Sequence, residues 1–128
     1  MDAVEIAFKA VAVLHTIVGY VLVGAALDEE FQQECFYANS NPLAGDIKKY
    51  LVITGSGAMA ACGILAFKIP VVAVALAWIS LACWFVTGFV DIPWTRRPPG
   101  FCKACAINFL VRCSLAGLLT LLYHRLDG

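Results

Sequence analysis

Charged residues fall in clumps along this chain, and the stretches between the clumps are almost wholly apolar. Residues 10–27 run uncharged between Lys9 and Asp28, with Val4, Ile6 and Phe8 extending the run on its N-terminal side. Residues 50–67 do the same between Lys49 and Lys68, and residues 71–90 continue to Asp91. A last stretch, 104–123, is interrupted by Arg112 and closes at His124-Arg125. A hydrocarbon core takes about 20 helical residues at 1.5 Å each, and lipid offers no partner to a backbone amide or carbonyl. The pattern therefore predicts an all-α integral membrane protein, an antiparallel four-helix bundle. Its helices are expected at about 4–27, 50–67, 70–90 and 104–124, with surface loops over 28–49 and 91–103.

The connections fit that layout. Lys68-Ile69-Pro70 is too short to do more than turn one helix back along the next, and proline suits the first turn of a helix. The longer 28–49 segment opens with Asp28, Glu29, Glu30 and Glu34 and has a turn-prone centre at Asn39-Ser40-Asn41-Pro42, so it is expected to lie on the membrane surface. Residues 91–100 hold three of the five prolines, two arginines and Trp94, which reads as a stiff interfacial loop. Both termini fall on one side with Lys9, Lys68 and Arg125. Lys48, Lys49, Arg96, Arg97 and Lys103 fall on the other, so the positive-inside tendency places the two longer loops in the cytosol, matrix or stroma. Gly24-Ala25-Ala26 follows an apolar run as a signal-peptide cleavage site would, but Asp2 and Glu5 offset Lys9. The basic start of a signal peptide is missing, and the first helix is expected to be retained.

Composition sharpens the picture. The 128 residues are 62% hydrophobic and 14% charged, whereas ordinary soluble domains are about 45–50% apolar and 25% charged. A chain this short cannot hide such an excess from water. Its length suits one domain, and its formal net charge of zero gives no basic field for nucleic acid.

Six cysteines are many for this length. Cys62, Cys83 and Cys113 lie inside apolar stretches, where a thiol packs as a small apolar group. Cys35 in the first loop, with Cys102 and Cys105 at the entrance to the last helix, is the candidate reactive set. A C-x-x-C at a helix N-terminus lowers a thiol pKa, and Lys103 adds to that effect. Three thiols without a nearby histidine do not complete a structural zinc site, so no metal is expected. The choice there is between a disulfide, free thiols and a catalytic dithiol. The last would be a membrane thiol/quinone oxidoreductase similar in frame to vitamin K epoxide reductase.

Two further polar residues fall inside apolar stretches. Arg112 lies roughly 12 Å into the last helix, and a charge there costs about 2.5–3.5 kcal/mol even on a lenient scale. With no carboxylate of the chain expected at that depth, its guanidinium is expected to find an acceptor outside the chain, in a lipid phosphate, a quinone carbonyl or a neighbouring subunit's acid. The alternative is snorkelling or bonding to carbonyls within the bundle. His15 is the other weak candidate for a lipid or quinone contact, against the plainer role of a neutral imidazole bonded to its own helix. Haem is not expected, since a second intramembrane histidine is lacking. Small residues mark the helix contacts: Ser56/Ala60 and Gly57/Ala61 make the second helix the central packing element, while Trp78, Trp84, Phe85 and Phe89 give the third a lipid or partner surface.

Three segments carry a family resemblance: Gly19-Tyr20-Val21-Leu22-Val23-Gly24 in the first helix, Ala61-Cys62-Gly63-Ile64 in the second, and Asn108-Phe109-Leu110-Val111-Arg112-Cys113 in the last. Together they resemble the layout of DoxX-like four-helix membrane proteins. Where that family often closes its first helix with a basic residue, this chain has Asp28-Glu29-Glu30. The resemblance implies a small membrane protein with a quinone, thiol or chaperone role and carries over no catalytic residue. The function expected from the residues themselves is a non-catalytic accessory subunit of a large energy-transducing complex, respiratory or photosynthetic. Its partners would be membrane lipids and other subunits, its location an organelle inner membrane, mitochondrial before thylakoid. No cofactor is expected beyond a possible bound phospholipid or quinone.

Overall fold

The computed structural model describes residues 2–37, 41–87 and 103–126, with side chains of the last segment described from residue 109. All its regular structure is helical. α1 spans Ala3–Leu27, α2 is the single turn Glu29–Gln32 running into a π-turn over Gln33–Tyr37, α3 spans Pro42–Leu65, α4 Pro70–Thr87 and α5 Lys103–Leu126.

Short polar side chains set these boundaries. Asp2 caps α1 by accepting the Glu5 amide at 2.8 Å. Asp28 serves twice: its backbone N–H closes α1 on the Ala25 carbonyl, and its carboxylate caps α2 at the Phe31 amide. Asn41 accepts the Ala44 amide at 2.8 Å with Pro42 at the first helical position. That signal starts α3 at Pro42 rather than at Tyr50, where the charge pattern alone had placed it. Much of the expected 28–49 loop is therefore helix. At the far end, the Ile69 amide reaches the Leu65 carbonyl at 2.7 Å and Pro70 opens α4.

Three stretches are long and apolar enough to cross a membrane: Ala3–Leu27, Pro70–Thr87 and Phe109–Leu126. These coincide with three of the four expected spans; α3 is not among them. Its early start brings Asp46, Lys48 and Lys49 into the helix, so its uncharged part is shorter than the roughly 20 residues of a full crossing. The expected extension of the third helix to residue 90 and the 91–102 connection lie outside the described residues.

α3 runs back along α1, and α4 back along α3. The Gly63 amide donates to Thr16 Oγ1 at 2.7 Å across the first pair, and Cys62 Sγ donates to the Ala73 carbonyl at 3.3 Å across the second. α5 closes on both α1 and α4, through Phe8–Tyr123, Phe85–Phe109 and a 2.7 Å hydrogen bond from Trp78 Nε1 to Thr120 Oγ1. The main core gathers Phe8, Ala12, Cys62, Ala66, Ala73, Ala77, Ala116 and Leu119. It is rich in alanine, so the helices approach closely and bury little bulk. A second, smaller core of Ala26, Phe36 and Val52 seats the α2/π segment. Tyr37 ties that segment down by donating to Asp46 Oδ1 at 2.5 Å, and Gln32 by donating to the Ala26 carbonyl.

The outside is as apolar as the inside. Tyr20, Ile64, Leu110 and Val21 are each more than 60% exposed, and exposed Leu, Ile, Val, Phe and Trp side chains occur along every long helix. In water such a surface is an aggregation hazard; in lipid it is the required one.

Candidate functional site

The inward stripes of the four long helices place a polar layer inside this apolar frame. On α5 the stripe is Arg112, Ala116 and Leu119, spaced by four and three, so the arginine points into the molecule along with the core residues. It is 3% exposed, and its Cζ lies 4.4 Å from the centroid of the Trp84 ring. A guanidinium over an indole gains about 0.5–2 kcal/mol, more when desolvated.

His15 occupies the matching place on α1, on the stripe Phe8, Ala12, His15 and Gly19. It is 1% exposed, and Nδ1 lies 2.9 Å from the Val11 carbonyl oxygen. A carbonyl only accepts, so Nδ1 carries the proton and a neutral His15 presents Nε2 as an acceptor. Arg112 is within electrostatic reach of this ring.

Ser56 on α3 and Ser80 on α4 complete the layer. Both are fully buried, and neither Oγ has a hydrogen-bond partner among the described residues; the same holds for Trp84 Nε1. Each such group costs about 1–3 kcal/mol while it stays unsatisfied. Glycines bring these helices to backbone contact at this level. A Cβ on Gly19 would lie 2.6 Å from the Ser56 carbonyl oxygen, and one on Gly55 3.2 Å from that of Ser80.

The layer holds the guanidinium and an indole N–H as donors, the His15 Nε2 as an acceptor, and two hydroxyls that can do either.

Of the candidates read from sequence, His15 and Arg112 are thus brought together. Arg112, expected from the sequence to find an acceptor outside the chain, is buried with its stripe facing the interior. Of the aromatic residues expected on an outer surface of α4, Trp84 is half-buried with its ring under the guanidinium, and Trp78 and Phe85 lie half exposed. Ser80 was overlooked; its spacing from Ala73 and Ala77, on the α4 core stripe, was the available signal. Cys62 is buried and bonded to the Ala73 carbonyl, and Cys83 and Cys113 are half-buried. Cys35 is exposed on the π-turn, at the end of the molecule where α1 finishes and α5 begins. Cys102 lies outside the described residues, and Cys105 is described only as part of the first turn of α5.

Comparison with known protein families, with characterised proteins and with solved structures finds no match for this chain. The DoxX-like layout stays a resemblance carried by the three segments quoted above.

Proposed function

We propose that the chain is a non-catalytic accessory subunit of a large multi-subunit energy-transducing membrane complex, respiratory or photosynthetic. It would sit in an organelle inner membrane, mitochondrial before thylakoid, as an antiparallel bundle of four helices. Three apolar helices of spanning length favour the membrane. α3 completes the crossing where Lys49 reaches the headgroup region, already lying over the Tyr50 ring at 5.6 Å.

One observation carries the subunit role. α3 uses Gly55, Ser56 and Gly63 against α1 and α4, yet it keeps a second seam turned outward: Leu43, Ile47, Tyr50, Thr54, Gly57, Ala61 and Ile64. Their spacing alternates between four and three, as in a helix meant for another helix. Leu43, Tyr50 and Ile64 are more than 60% exposed, and a Cβ on Gly57 would meet nothing within 4 Å. A small residue flanked by large apolar ones is what a second membrane helix needs for close packing. The seam suits an apolar transmembrane helix of a partner subunit.

Purification of the tagged chain in mild detergent tests this. The wild type is expected to bring down partner polypeptides in fixed stoichiometry. Gly57→Leu should lose them while leaving the fold intact, and Gly117→Leu, at an equally open glycine on α5, should keep them. Recovery of the wild type alone, or equal recovery of partners with both variants, contradicts the role assigned to α3.

The alternative, a membrane thiol/quinone oxidoreductase, is favoured by exposed Cys35 lying at the end where α5, with Cys105 in its first turn, begins. Replacing Cys102 and Cys105 together by serine distinguishes the two. Loss of membrane electron transfer with assembly intact would favour the enzyme; unchanged turnover is expected of the subunit.

A further inference from the structure

At the end of the molecule where α1 starts, α3 turns into α4 and α5 finishes, the helices leave a cavity of about 470 Å³. Its size is within the roughly 300–1,000 Å³ of small-molecule sites. Two carboxylates, Asp2 and Glu5, and two ammonium groups, Lys9 and Lys68, line it, with Phe8, Phe67 and Tyr123 among its walls. The open seam on α3 and the buried polar layer play no part in it.

The charges are arranged by sign. The ammonium of Lys68, in the α3–α4 turn, has no hydrogen-bond or ion-pair partner among the described residues, and it stands beside the N-terminus of α4, whose dipole also favours an anion. Lys9 is held between Glu5 at 3.2 Å and the face of Phe67 at 5.0 Å. On the α1 side, one oxygen of Asp2 caps the Glu5 amide and one oxygen of Glu5 binds Lys9, which leaves each carboxylate a second oxygen. A guest with a negative group toward Lys68 and a positive, hydrogen-donating group toward Asp2 and Glu5 satisfies both sides at once. Val71, which lines the cavity, and neighbouring Ile69 are about half exposed, giving such a guest an apolar exit.

We propose that this cavity binds the headgroup of a phosphatidylethanolamine molecule. Its phosphodiester faces Lys68, its primary ammonium faces Asp2 and Glu5, and its acyl chains leave past Val71 and Ile69. A choline headgroup has no N–H to give the carboxylates, and a glycerol headgroup has no cation for them. The site presupposes the membrane placement proposed above but not the partner subunit, so the isolated chain suffices to test it.

Native mass spectrometry of the purified, delipidated full chain in detergent, titrated with phosphatidylethanolamine, phosphatidylcholine and phosphatidylglycerol of matched chains, reads the preference directly. Phosphatidylethanolamine is expected to bind at least about tenfold more tightly than either other lipid. Lys68→Gln is expected to lower its affinity about tenfold, and Asp2→Asn with Glu5→Gln to do the same and to erase the preference over phosphatidylglycerol. Asparagine still caps α1, so the double variant keeps the helix start, and far-UV circular dichroism checks that it does. Equal binding of all three lipids, or phosphatidylglycerol binding as tightly as phosphatidylethanolamine, would overturn the proposal. So would affinities unchanged by the variants.

Discussion

Arg112 decides more than any other residue, because its charge and its packing pull in opposite directions. If the guanidinium answers mainly to its buried position over Trp84, then Arg112→Met keeps the apolar stem, offers a sulfur to the indole and removes a buried charge. Arg112→Lys keeps the charge but loses the planar face that stacks. The lysine variant is therefore expected to be the less stable, by about 1–3 kcal/mol, in denaturant unfolding of the detergent-solubilised chain. The reverse order would show that the charge matters more than the stack and would restore an anionic partner. A second residue gives a pH signature at the surface. Hydrogen bonding to Asp46 raises the Tyr37 pKa above its ordinary value, so the contact is intact below about pH 10 and is lost as pH rises through the raised value. Absorbance titration at high pH should show one late-titrating tyrosine that disappears in Tyr37→Phe and moves back toward the ordinary range in Asp46→Asn. A titration curve identical in all three proteins would contradict the Tyr37–Asp46 contact. His15 and Arg112 were visible in the sequence because polar residues stand out in apolar runs. Ser80 and the role of Trp84 were not, since each depends on which face of α4 turns inward, and that is settled by α3 and α5 rather than by α4 alone.

Among the elements, α3 is the one on which packing turns. The sequence marked it as the central helix through its small residues, and the structure divides those residues into a used face and an open one. Gly19 on α1 belongs to the used side: a Cβ there would lie 2.5 Å from the Ala60 amide nitrogen. Backbone cannot move aside as a flexible side chain can. Gly19→Ala is expected to separate α1 from α3 and cost about 1–3 kcal/mol of stability, whereas Gly24→Ala, where nothing lies within 4 Å, should be neutral or gain up to about 1 kcal/mol of helix propensity. Thermal unfolding followed by circular dichroism separates the two, and equal effects would contradict the close approach. The start of α3 was misplaced from the charge pattern because a cap acts through local hydrogen bonds. Asn41-Pro42 carried that signal, and Lys48 and Lys49 masked it by looking like a boundary. The α2/π segment was hidden for a related reason: its helical turns are held by Phe36 against Ala26 and Val52, a tertiary contact with no period of its own.

For the whole molecule, the distribution of polarity is the governing fact. Polar groups gather in an inner layer and at the two ends, while the sides of the long helices are apolar and α3 keeps an unfilled seam with Gly57 near its middle. That distribution follows from the spacing of charges along the chain, which is why the all-helical class was legible before the structure. Which assembly the seam belongs to is written in the partner's sequence and not in this one. Blue-native electrophoresis of the source membranes after mild solubilisation, probed for this chain, tests the central claim most directly. The chain is expected to migrate within a large multi-subunit assembly and to fall out of it when Gly57 is replaced by leucine; migration of the wild type as a discrete monomer or dimer would contradict the account.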